Sequence, residues 1–389
     1  MSGGGAPALG VGMVGHAFMG RVHSQAWRSV RAFFDVPYTP VMAALAGRDR
    51  DRVRAAADRL GWASAETDWK ALLRRDDVHL IDVCTPGDTH AEIAVAALEA
   101  GKHVLCEKPL ANTVAEAEAM AAAAERAAAR GVRAMVAFNY RRVPAVALAR
   151  RLVADGRLGT VRHIRAQYLQ DWLADPAHPM VWRLDRDRAG SGALGDIGAH
   201  IIDTAQFVSG DRLVGVSALL ETFVRERPTP EGGRATVTVD DAALFHGRTA
   251  GGAVASFEAT RFATGRKNAL RIELNGTDGS LAFDFEAMNE LWFCDRARDG
   301  EDAGFRRILV TEPSHPYAGA WWPPGHPLGY EHTFTHEIAD LLTAIAEDAD
   351  PAPSFADGLA VQRVLAAVEA SAAAGGAWTA VHRPPHPEE

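Results

Sequence analysis

The sequence predicts an α/β protein of two domains, a doubly wound parallel sheet first and an α+β domain with an open, largely antiparallel sheet second. The chain has 389 residues, and a domain commonly contains about 100–200. Apolar runs alternate with helical patterns over residues 1–140, which is typical of parallel strands joined by helices. Beyond residue 156, strand-like runs follow one another across turn signals such as Asn275-Gly276. We therefore place the domains at 1–140 and 141–389.

The first domain is read from short apolar runs, which predict buried strands, and from the helical patterns between them. The predicted strands are residues 9–14, 41–46, 79–84, 103–106 and 132–138. The predicted helices are residues 19–30, 49–60, 68–74, 88–100 and 113–130, with one more at 144–154.

The second domain is read from alternating and β-branched segments. The predicted strands are residues 161–172, 214–224, 236–245, 253–261, 269–275, 280–285 and 291–294. Helices are predicted at residues 195–208, 331–347 and 355–374.

Composition and charge restrict the possible partners. The net charge of −9 disfavours nucleic acid and anionic membranes as partners, because both require a basic surface. No apolar run is long enough to cross a bilayer, and the first residues do not resemble a signal peptide. The three cysteines fit neither a disulfide framework nor zinc spacing, and we expect Cys84 and Cys106 to be buried. We therefore expect a cytoplasmic protein with a small-molecule substrate.

A glycine-rich segment near the start predicts a dinucleotide site. Gly10, Gly12 and Gly15 form G-x-G-x-x-G between a predicted strand and helix, the pattern of the Rossmann fold. Such glycines allow a tight turn, close approach to a pyrophosphate and close packing of strand and helix, with the helix N-terminus facing the anion. The alternative is a glycine-rich turn that binds no ligand.

The end of the second predicted strand bears on the choice between NAD and NADP. The acid that usually binds the ribose 2′-hydroxyl is replaced by Gly47-Arg48-Asp49. Gly47 makes room and Arg48 offers a cation to a 2′-phosphate, so the sequence slightly favours NADP over NAD. Arg48 stacking on the adenine, or Asp49 reaching the ribose, remains an alternative.

Three further motifs decide the resemblance. Thr85-Pro86 with His90 follows the third predicted strand, Glu107-Lys108-Pro109 follows the fourth, and a later segment reads Gly195-Asp196-Ile197-Gly198-Ala199-His200. With the glycine segment, their order and spacing resemble the Gfo/Idh/MocA family of oxidoreductases over nearly the whole chain. Segments such as Tyr168–Trp172 are most similar to family members that act on levoglucosan, followed by those that act on inositols.

The resemblance implies catalytic roles for Lys108, Asp196 and His200, and cofactor binding by the glycines and by the residues of the two intermediate motifs. The cofactor residues are Gly10, Gly12, Gly15, Arg48, Thr85, Pro86, His90, Glu107 and Lys108. Asp196 and His200 are four residues apart and would share one helix face. Histidine suits proton transfer near neutral pH, and a lysine ammonium can stabilise alkoxide charge. Which of Lys108 and His200 is the base stays open.

Weaker candidates for substrate contact lie near the same segments. They are Asn139, Arg141, Gln170, Trp172 and Trp182. A tryptophan ring suits the apolar face of a sugar, although core packing explains these rings equally well, and Arg141 could instead form a structural ion pair. His332 and His336 lack a third ligand for zinc, so we expect no metal.

These observations predict an NAD(P)-dependent dehydrogenase that oxidises a ring hydroxyl of a sugar, an anhydrosugar such as levoglucosan, or a cyclitol such as inositol. The alternatives are a glycoside-cleaving enzyme that retains its NAD, and a non-enzymatic dinucleotide-binding sensor. The resemblance further implies a homotetramer or homodimer that assembles through the C-terminal sheet.

Overall fold

The computed structural model describes residues 6–382, which divide into two compact units. Unit 1 contains residues 6–142 together with Leu328–Leu359. Unit 2 contains Val143–Pro327 together with residues 360–382. The expectation that every residue after 140 lies in the second domain therefore differs from the structure, because a late segment of about thirty residues packs in unit 1.

Unit 1 contains the parallel sheet. Its strands are β1 (Ala8–Val14), β2 (Thr39–Ala46), β3 (Ala65–Glu66), β4 (Leu80–Val83), β5 (His103–Glu107) and β6 (Ala134–Ala137). Their order is β3-β2-β1-β4-β5-β6, and all neighbours pair in parallel. The predicted doubly wound sheet is confirmed. In this order the direction of winding reverses between β1 and β4, and such folds bind ligands at the carboxyl ends of the strands there.

Helices join these strands as the sequence predicts. They are α1 (Phe18–Phe33), α2 (Arg50–Leu60), α3 (Lys70–Leu73), α4 (His90–Glu99) and α5 (Val114–Ala128). Their ends follow local chemistry: the Asp49 side chain accepts the Arg52 N–H, and Thr113 and Glu116 form a capping box. Gly61 ends α2 in the left-handed conformation, which glycine adopts readily.

Unit 2 is built on a nine-stranded sheet with one separate hairpin. The strands are β7 (Val161–Leu169), β8 (Leu213–Glu221), β9 (Glu226–Pro228), β10 (Arg234–Thr236), β11 (Ala242–Thr249), β12 (Val254–Thr260), β13 (Ala269–Gly276), β14 (Gly279–Asp284), β15 (Glu290–Asp295), β16 (Arg306–Leu309) and β17 (Thr379–Ala380). The order of the large sheet is β16-β15-β14-β13-β7-β12-β11-β8-β17, and only β7 and β12 pair in parallel. The predicted open, largely antiparallel sheet is confirmed.

One predicted strand differs. Residues 236–245 are not continuous, because β10 ends at Thr236 and β11 begins at Ala242. Between them the carboxylate of Asp240 accepts the N–H groups of Gly192 and Leu194. These hydrogen bonds tie the segment to a loop, so it does not continue a strand ladder.

Unit 2 contains helices besides its sheet. They are α6 (Pro144–Ala154), α7 (Arg186–Ala189), α8 (Ala199–Ser209) and α9 (Arg296–Asp299), and a π-helical turn, Leu194–Gly198, precedes α8. Side chains along β13 and β14 alternate between buried and half-exposed positions. The sheet therefore buries one face, against which α8 packs, and leaves the opposite face accessible.

Two helices close the chain, α10 (Tyr330–Ala346) and α11 (Phe355–Ala373). The apolar stripe of α10 contains Phe334, Ile338 and Leu342, which join the core of unit 1 beside Trp27 of α1. An amphipathic pattern shows that a helix is buried on one side but not what covers that side, which is why the sequence assigned this segment to the wrong neighbour. Among the described residues, no helix combines the length and apolarity needed to span a membrane.

Candidate functional site

The glycine segment is placed differently from the prediction. Gly10 and Gly12 lie inside β1, where a Cβ on Gly10 would meet the Asp77 carbonyl oxygen at 1.7 Å. Both are packing positions within the sheet, so their assignment to the dinucleotide turn is corrected. Gly15 is the first residue after β1, and its φ of +100° requires glycine.

The turn that meets the requirements of a dinucleotide loop runs from Gly15 to Gly20. Ala17 precedes α1 in an extended conformation, and Gly20 lies in the first turn of the helix. A Cβ on Gly20 would meet the Gly15 carbonyl oxygen at 2.3 Å, so the helix packs closely on the turn. The pattern is G-x-A-x-x-G over residues 15–20, a second alignment that the sequence contains and that the first glycines obscured.

The end of β2 is followed by Gly47, Arg48 and Asp49. Arg48 is exposed, and a Cβ on Gly47 would meet the His16 ring at 2.8 Å. Asp49 caps α2 by accepting the Arg52 N–H at 3.0 Å. The cap occupies one carboxylate oxygen of Asp49, which makes this residue a weaker candidate for a ribose contact than the sequence suggested.

His90 holds two strand ends together. Its ring is 1% exposed, with Nε2 at 2.9 Å from the Thr85 carbonyl oxygen and Nδ1 at 3.0 Å from the Pro109 carbonyl oxygen. The segment of Thr85 and Pro86 follows β4, and Pro109 follows β5. His90 therefore fixes the two loops that are predicted to bind the cofactor. Both of its ring nitrogens lie at hydrogen-bond distance from backbone carbonyl oxygens, so neither faces a ligand.

Glu107 and Lys108 stand at the carboxyl end of β5. The Glu107 side chain is buried, its Oε1 lies 3.0 Å from His23 Nε2, and its Oε2 accepts the Lys108 backbone N–H at 3.1 Å. Both oxygens are thus engaged inside unit 1, so Glu107 supports the loop rather than presenting its carboxylate to a ligand. The Lys108–Pro109 peptide bond is cis.

Asn139 and Arg141 make internal contacts in unit 1. Asn139 donates from Nδ2 to the Thr333 hydroxyl at 2.9 Å, and Arg141 Nη1 lies 3.6 Å from Asp357 Oδ2. The alternative that Arg141 forms a structural ion pair is therefore the one observed. Both partners come from the late segment that returns to unit 1.

One buried group in unit 1 has side chains of the types that bind metals. His23, Asp82 and Cys84 bring their donor atoms within 4.8 Å of one another. His23 Nδ1 lies 3.0 Å from the Asp82 oxygens, and Cys84 Sγ lies 3.4 Å from Oδ1, which are hydrogen-bond distances. Burial also raises the pKa of the Cys84 thiol, so it stays protonated and hydrogen-bonded.

In unit 2, Asp196 lies in the π-helical turn Leu194–Gly198, whereas His200 lies in the first turn of α8. The predicted single helix from 195 is therefore a wide turn followed by an α-helix. Glycine at 195 and 198 permits the widening, and π-turns occur frequently at functional sites.

Two arginines face the Asp196 carboxylate. Arg183 Nε lies 3.8 Å and Arg261 Nη1 lies 3.6 Å from Asp196 Oδ2. Asp196 is 23% exposed, and Arg261 is fully buried. The two guanidinium groups favour the ionised carboxylate, which can then accept hydrogen bonds from hydroxyl groups. The sequence contains both arginines, but only the fold brings them to Asp196.

The predicted aromatic and amide residues extend this cluster. Trp172 Nε1 donates to Gln170 Oε1 at 3.1 Å, and the Arg261 guanidinium lies 5.6 Å from the Trp172 ring. Arg183 lies 4.5 Å from the ring of Trp182, and the His200 ring lies 5.9 Å from that of Tyr168. Neighbouring contacts thus connect Gln170, Trp172 and Trp182 to the surroundings of Asp196.

The comparisons with known proteins agree with this architecture. Residues 9–138 match the oxidoreductase family with an NAD-binding Rossmann fold, and residues 146–282 match the GFO/IDH/MocA C-terminal domain. Levoglucosan dehydrogenase of Pseudarthrobacter phenanthrenivorans is 42% identical over 94% of this chain and 96% of its own length. The chain belongs to the GFO/IDH/MocA family of oxidoreductases.

Solved structures of other proteins are similar to this one over almost the whole chain. A levoglucosan dehydrogenase in complex with NADH and levoglucosan has a TM-score of 0.93 at 42% identity, covering 97% of this chain and 100% of that one. An oxidoreductase domain protein from Kribbella flavida has a TM-score of 0.95 at 69% identity with the same coverage. The chain is an NAD(P)-dependent oxidoreductase of a family whose members act on sugar CH–OH groups.

The three cysteines of this GFO/IDH/MocA protein differ in burial. Cys84 and Cys106 are buried, as predicted, and burial raises the pKa of both thiols. Cys294 is half-buried in β15. Because a thiol is nucleophilic only as thiolate, the two buried cysteines are inert packing residues.

Proposed function

We propose that this chain oxidises a secondary hydroxyl on the ring of an anhydrosugar of the levoglucosan type, with NAD as hydride acceptor. The observation that carries the proposal is the polar, partly exposed cluster of unit 2, in which Asp196 is held by Arg183 and Arg261 beside aromatic rings. A cluster that combines an ionised carboxylate, amides and tryptophans suits a neutral polyhydroxylated ring. The similar enzyme that binds levoglucosan supports this substrate over inositol.

The reaction requires a hydride acceptor and a group that takes the hydroxyl proton. NAD, when bound, would supply the acceptor for the hydride that leaves the carbon bearing the hydroxyl. His200 takes the hydroxyl proton, Lys108 as ammonium stabilises charge that develops on the oxygen, and Asp196 accepts a hydrogen bond from a neighbouring hydroxyl. Lys108 as the base, with His200 as hydrogen-bond partner, is the alternative assignment.

NAD rather than NADP is the proposed working cofactor. The family's NAD-binding domain and the NADH complex of the similar enzyme support NAD, whereas exposed Arg48 and the missing acid after β2 support NADP. The ratio of kcat/KM for the two cofactors decides between them. A preference for NADP that is lost in Arg48→Ala would establish the 2′-phosphate role of Arg48 and reject NAD.

A second copy of this chain is the proposed partner, bound through the accessible face of the unit 2 sheet. That face carries exposed Leu219, Leu244 and Trp292. Among them stand side chains of both charges, including an Arg165–Glu273 pair at 3.1 Å and an Arg271–Asp284 pair at 2.7 Å. Apolar surface with balanced charge suits a self-complementary contact in a homodimer or homotetramer. A monomeric mass in solution would reject this arrangement.

Free thiols also support a reducing compartment such as the cytoplasm.

The test is the absorbance of reduced nicotinamide on mixing the protein with NAD or NADP and a panel of substrates. The panel contains levoglucosan, myo-inositol, scyllo-inositol, glucose, xylose and glycosides of the sugars. We expect the highest kcat/KM with levoglucosan and loss of turnover in Lys108→Ala, with Lys70→Ala as the exposed control. If NAD binds and a glycoside is cleaved without net NADH, the chain is a glycoside-cleaving enzyme that retains its cofactor.

A further inference from the structure

A series of buried hydrogen bonds leads from α1 to the backbone of Lys108. Trp27 Nε1 donates to Asp82 Oδ2 at 2.8 Å, and His23 Nδ1 lies 3.0 Å from both Asp82 oxygens. His23 Nε2 lies 3.0 Å from Glu107 Oε1, and Glu107 Oε2 accepts the Lys108 N–H at 3.1 Å. The series connects α1 to the residue that the proposed function makes catalytic.

The topology explains why one ring reaches both carboxylates. Asp82 lies in β4 and Glu107 ends β5, and these two strands are parallel neighbours in the sheet. His23 comes from the middle of α1, which follows β1 on the other side of β4. The imidazole therefore ties one helix to two strand ends at the place where parallel sheets bind ligands.

The charge state of His23 follows from its partners. A neutral imidazole has one N–H donor, whereas an imidazolium has two and can donate to both carboxylates. His23, Asp82 and Glu107 are each less than 5% exposed, so water does not replace a missing donor. Burial has the largest single effect on His23 and lowers its pKa, but Asp82 and Cys84 together raise it, so that the pKa lies well above its ordinary value.

Three other ionisable groups interact with the cluster, Cys84, Tyr330 and Glu337. Cys84 keeps its proton, since burial raises its pKa, and burial likewise raises the pKa of Tyr330 on α10. Burial also raises the pKa of Glu337, on the same helix, to about 8. These three groups are therefore neutral near pH 7, and the charges nearest to His23 are the two carboxylates it contacts.

We propose that His23 is a positioning residue for the oxidation: held as an imidazolium between Asp82 and Glu107, it fixes the carboxylate that accepts the Lys108 N–H and so sets the position of the Lys108 side chain. The proposal rests on the proposed role of Lys108. His23 touches neither substrate nor cofactor in this scheme. It acts through Glu107, whose two oxygens are divided between the imidazole and the loop.

The kinetic test compares His23→Gln with Trp27→Phe. A glutamine has no charge and reaches one carboxylate at most, so the Glu107 carboxylate loses its fixed partner. We expect kcat to fall on the order of 10- to 100-fold, with little change in the KM for sugar or the Kd for NAD, because misplacement of a catalytic group affects the chemical step. Trp27→Phe removes one hydrogen bond to Asp82 and leaves the His23–Glu107 contact, so it should lower stability and retain kcat.

A double-mutant cycle with Glu107→Gln tests whether His23 acts through Glu107. The losses in kcat should be strongly non-additive, with the double variant no slower than the slower single variant, because both changes remove the same interaction. Additive losses would assign His23 a structural role, and an unchanged kcat in His23→Gln would overturn the proposal outright.

A readout that needs no sugar separates this proposal from the proposed function. Competitive acylation, followed by mass spectrometry, compares the reactivity of the Lys108 amine with that of the exposed Lys70 and Lys267 as internal references. We expect the relative reactivity of Lys108 to change in His23→Gln, because the loop that carries Lys108 loses its fixed carboxylate partner, and to stay constant in Trp27→Phe. An unchanged reactivity of Lys108 in both variants contradicts the positioning role, even if no sugar in the panel is oxidised.

Discussion

Unit 1 contains a buried histidine between two carboxylates, unit 2 contains a carboxylate that faces two arginines, and the two clusters differ in their access to solvent. In unit 1, the His23 side chain is 1% exposed between Asp82 and Glu107. In unit 2, the Asp196 carboxylate is 23% exposed and faces two arginines, with His200 in the next turn of the chain. The first cluster is closed by its own hydrogen bonds, and the second leaves surface to which a ligand can bind.

The difference shows that residue type alone does not define a catalytic site. A buried ion pair satisfies its own hydrogen-bonding groups, and breaking it costs more than its formation contributes. A partly exposed carboxylate between cations can exchange a water molecule for a substrate hydroxyl without breaking the fold. The same chemistry therefore stabilises one unit and recognises substrate in the other.

The largest effect on activity is expected from replacing His200, which lies in unit 2 in the turn after Asp196. His200→Asn should lower kcat by about 10²–10⁴-fold, because it removes the group that takes the proton, and NAD binding should persist. His326→Asn, at an exposed position, is the matched control. Steady-state kinetics and NAD titration measure both variants, and full activity in His200→Asn would leave Lys108 as the base.

Breaking the closed cluster should affect folding. Asp82→Ala removes the carboxylate that accepts hydrogen bonds from Trp27 and His23. The buried N–H groups of these two side chains then lose their acceptor. We expect a loss of about 3–5 kcal/mol in the free energy of unfolding, measured by urea denaturation. Asp58→Ala on the exposed side of α2 should change it by less than about 0.5 kcal/mol. Equal effects would mean that the cluster is not the closed ion pair described above.

The buried carboxyl of Glu337, on α10 in unit 1, should make the stability of the folded protein depend on pH. Burial raises the pKa of its carboxyl from 4.5 to about 8, although the Arg142 guanidinium opposes the shift. A carboxyl with a raised pKa in the folded state contributes stability that is complete below its unfolded value and is lost as the pH rises through its folded value.

Glu337→Gln, which stays neutral, should therefore gain stability relative to the wild type between about pH 5 and about pH 9, by about 4 kcal/mol. Thermal unfolding at the two pH values measures the gain. Asp340→Asn, a partly exposed neighbour on the same helix, provides the control. A pH-independent difference would indicate that water reaches Glu337.

The smallest effect compares the two arginines at Asp196. Arg261 is fully buried, whereas the side chain of Arg183 is 38% exposed. Arg261→Met should lower kcat/KM about tenfold, and Arg183→Met by less, because solvent screens the exposed pair. Steady-state kinetics with the preferred sugar rank them, with Arg212→Met on the same unit as a reference. The reverse order would place Arg183, and not Arg261, as the principal partner of Asp196.

Much of the fold was predictable because it depends on local pattern. Short apolar runs that alternate with helical patterns predict the parallel sheet of unit 1, and strand-like segments separated by turn dipeptides predict the antiparallel sheet of unit 2. The glycine assignment failed for a specific reason: Gly10 and Gly12 repeat the spacing of a dinucleotide turn, but they lie in β1, and only the observed end of the strand reveals Gly15 and Gly20 as the turn. The wide turn at Asp196 was hidden because helical periodicity does not distinguish an α-turn from a π-turn over five residues.

The sequence by itself determined the order of strands and helices, the two kinds of sheet and the motifs of an oxidoreductase family. The tertiary structure alone decided which partner each charged side chain meets. His23 contacts carboxylates 59 and 84 residues away, and α10 returns to the core of unit 1. Apolar periodicity is a property of neighbouring residues and can be read along the chain, whereas burial and charge pairing depend on segments that approach one another only when the chain folds.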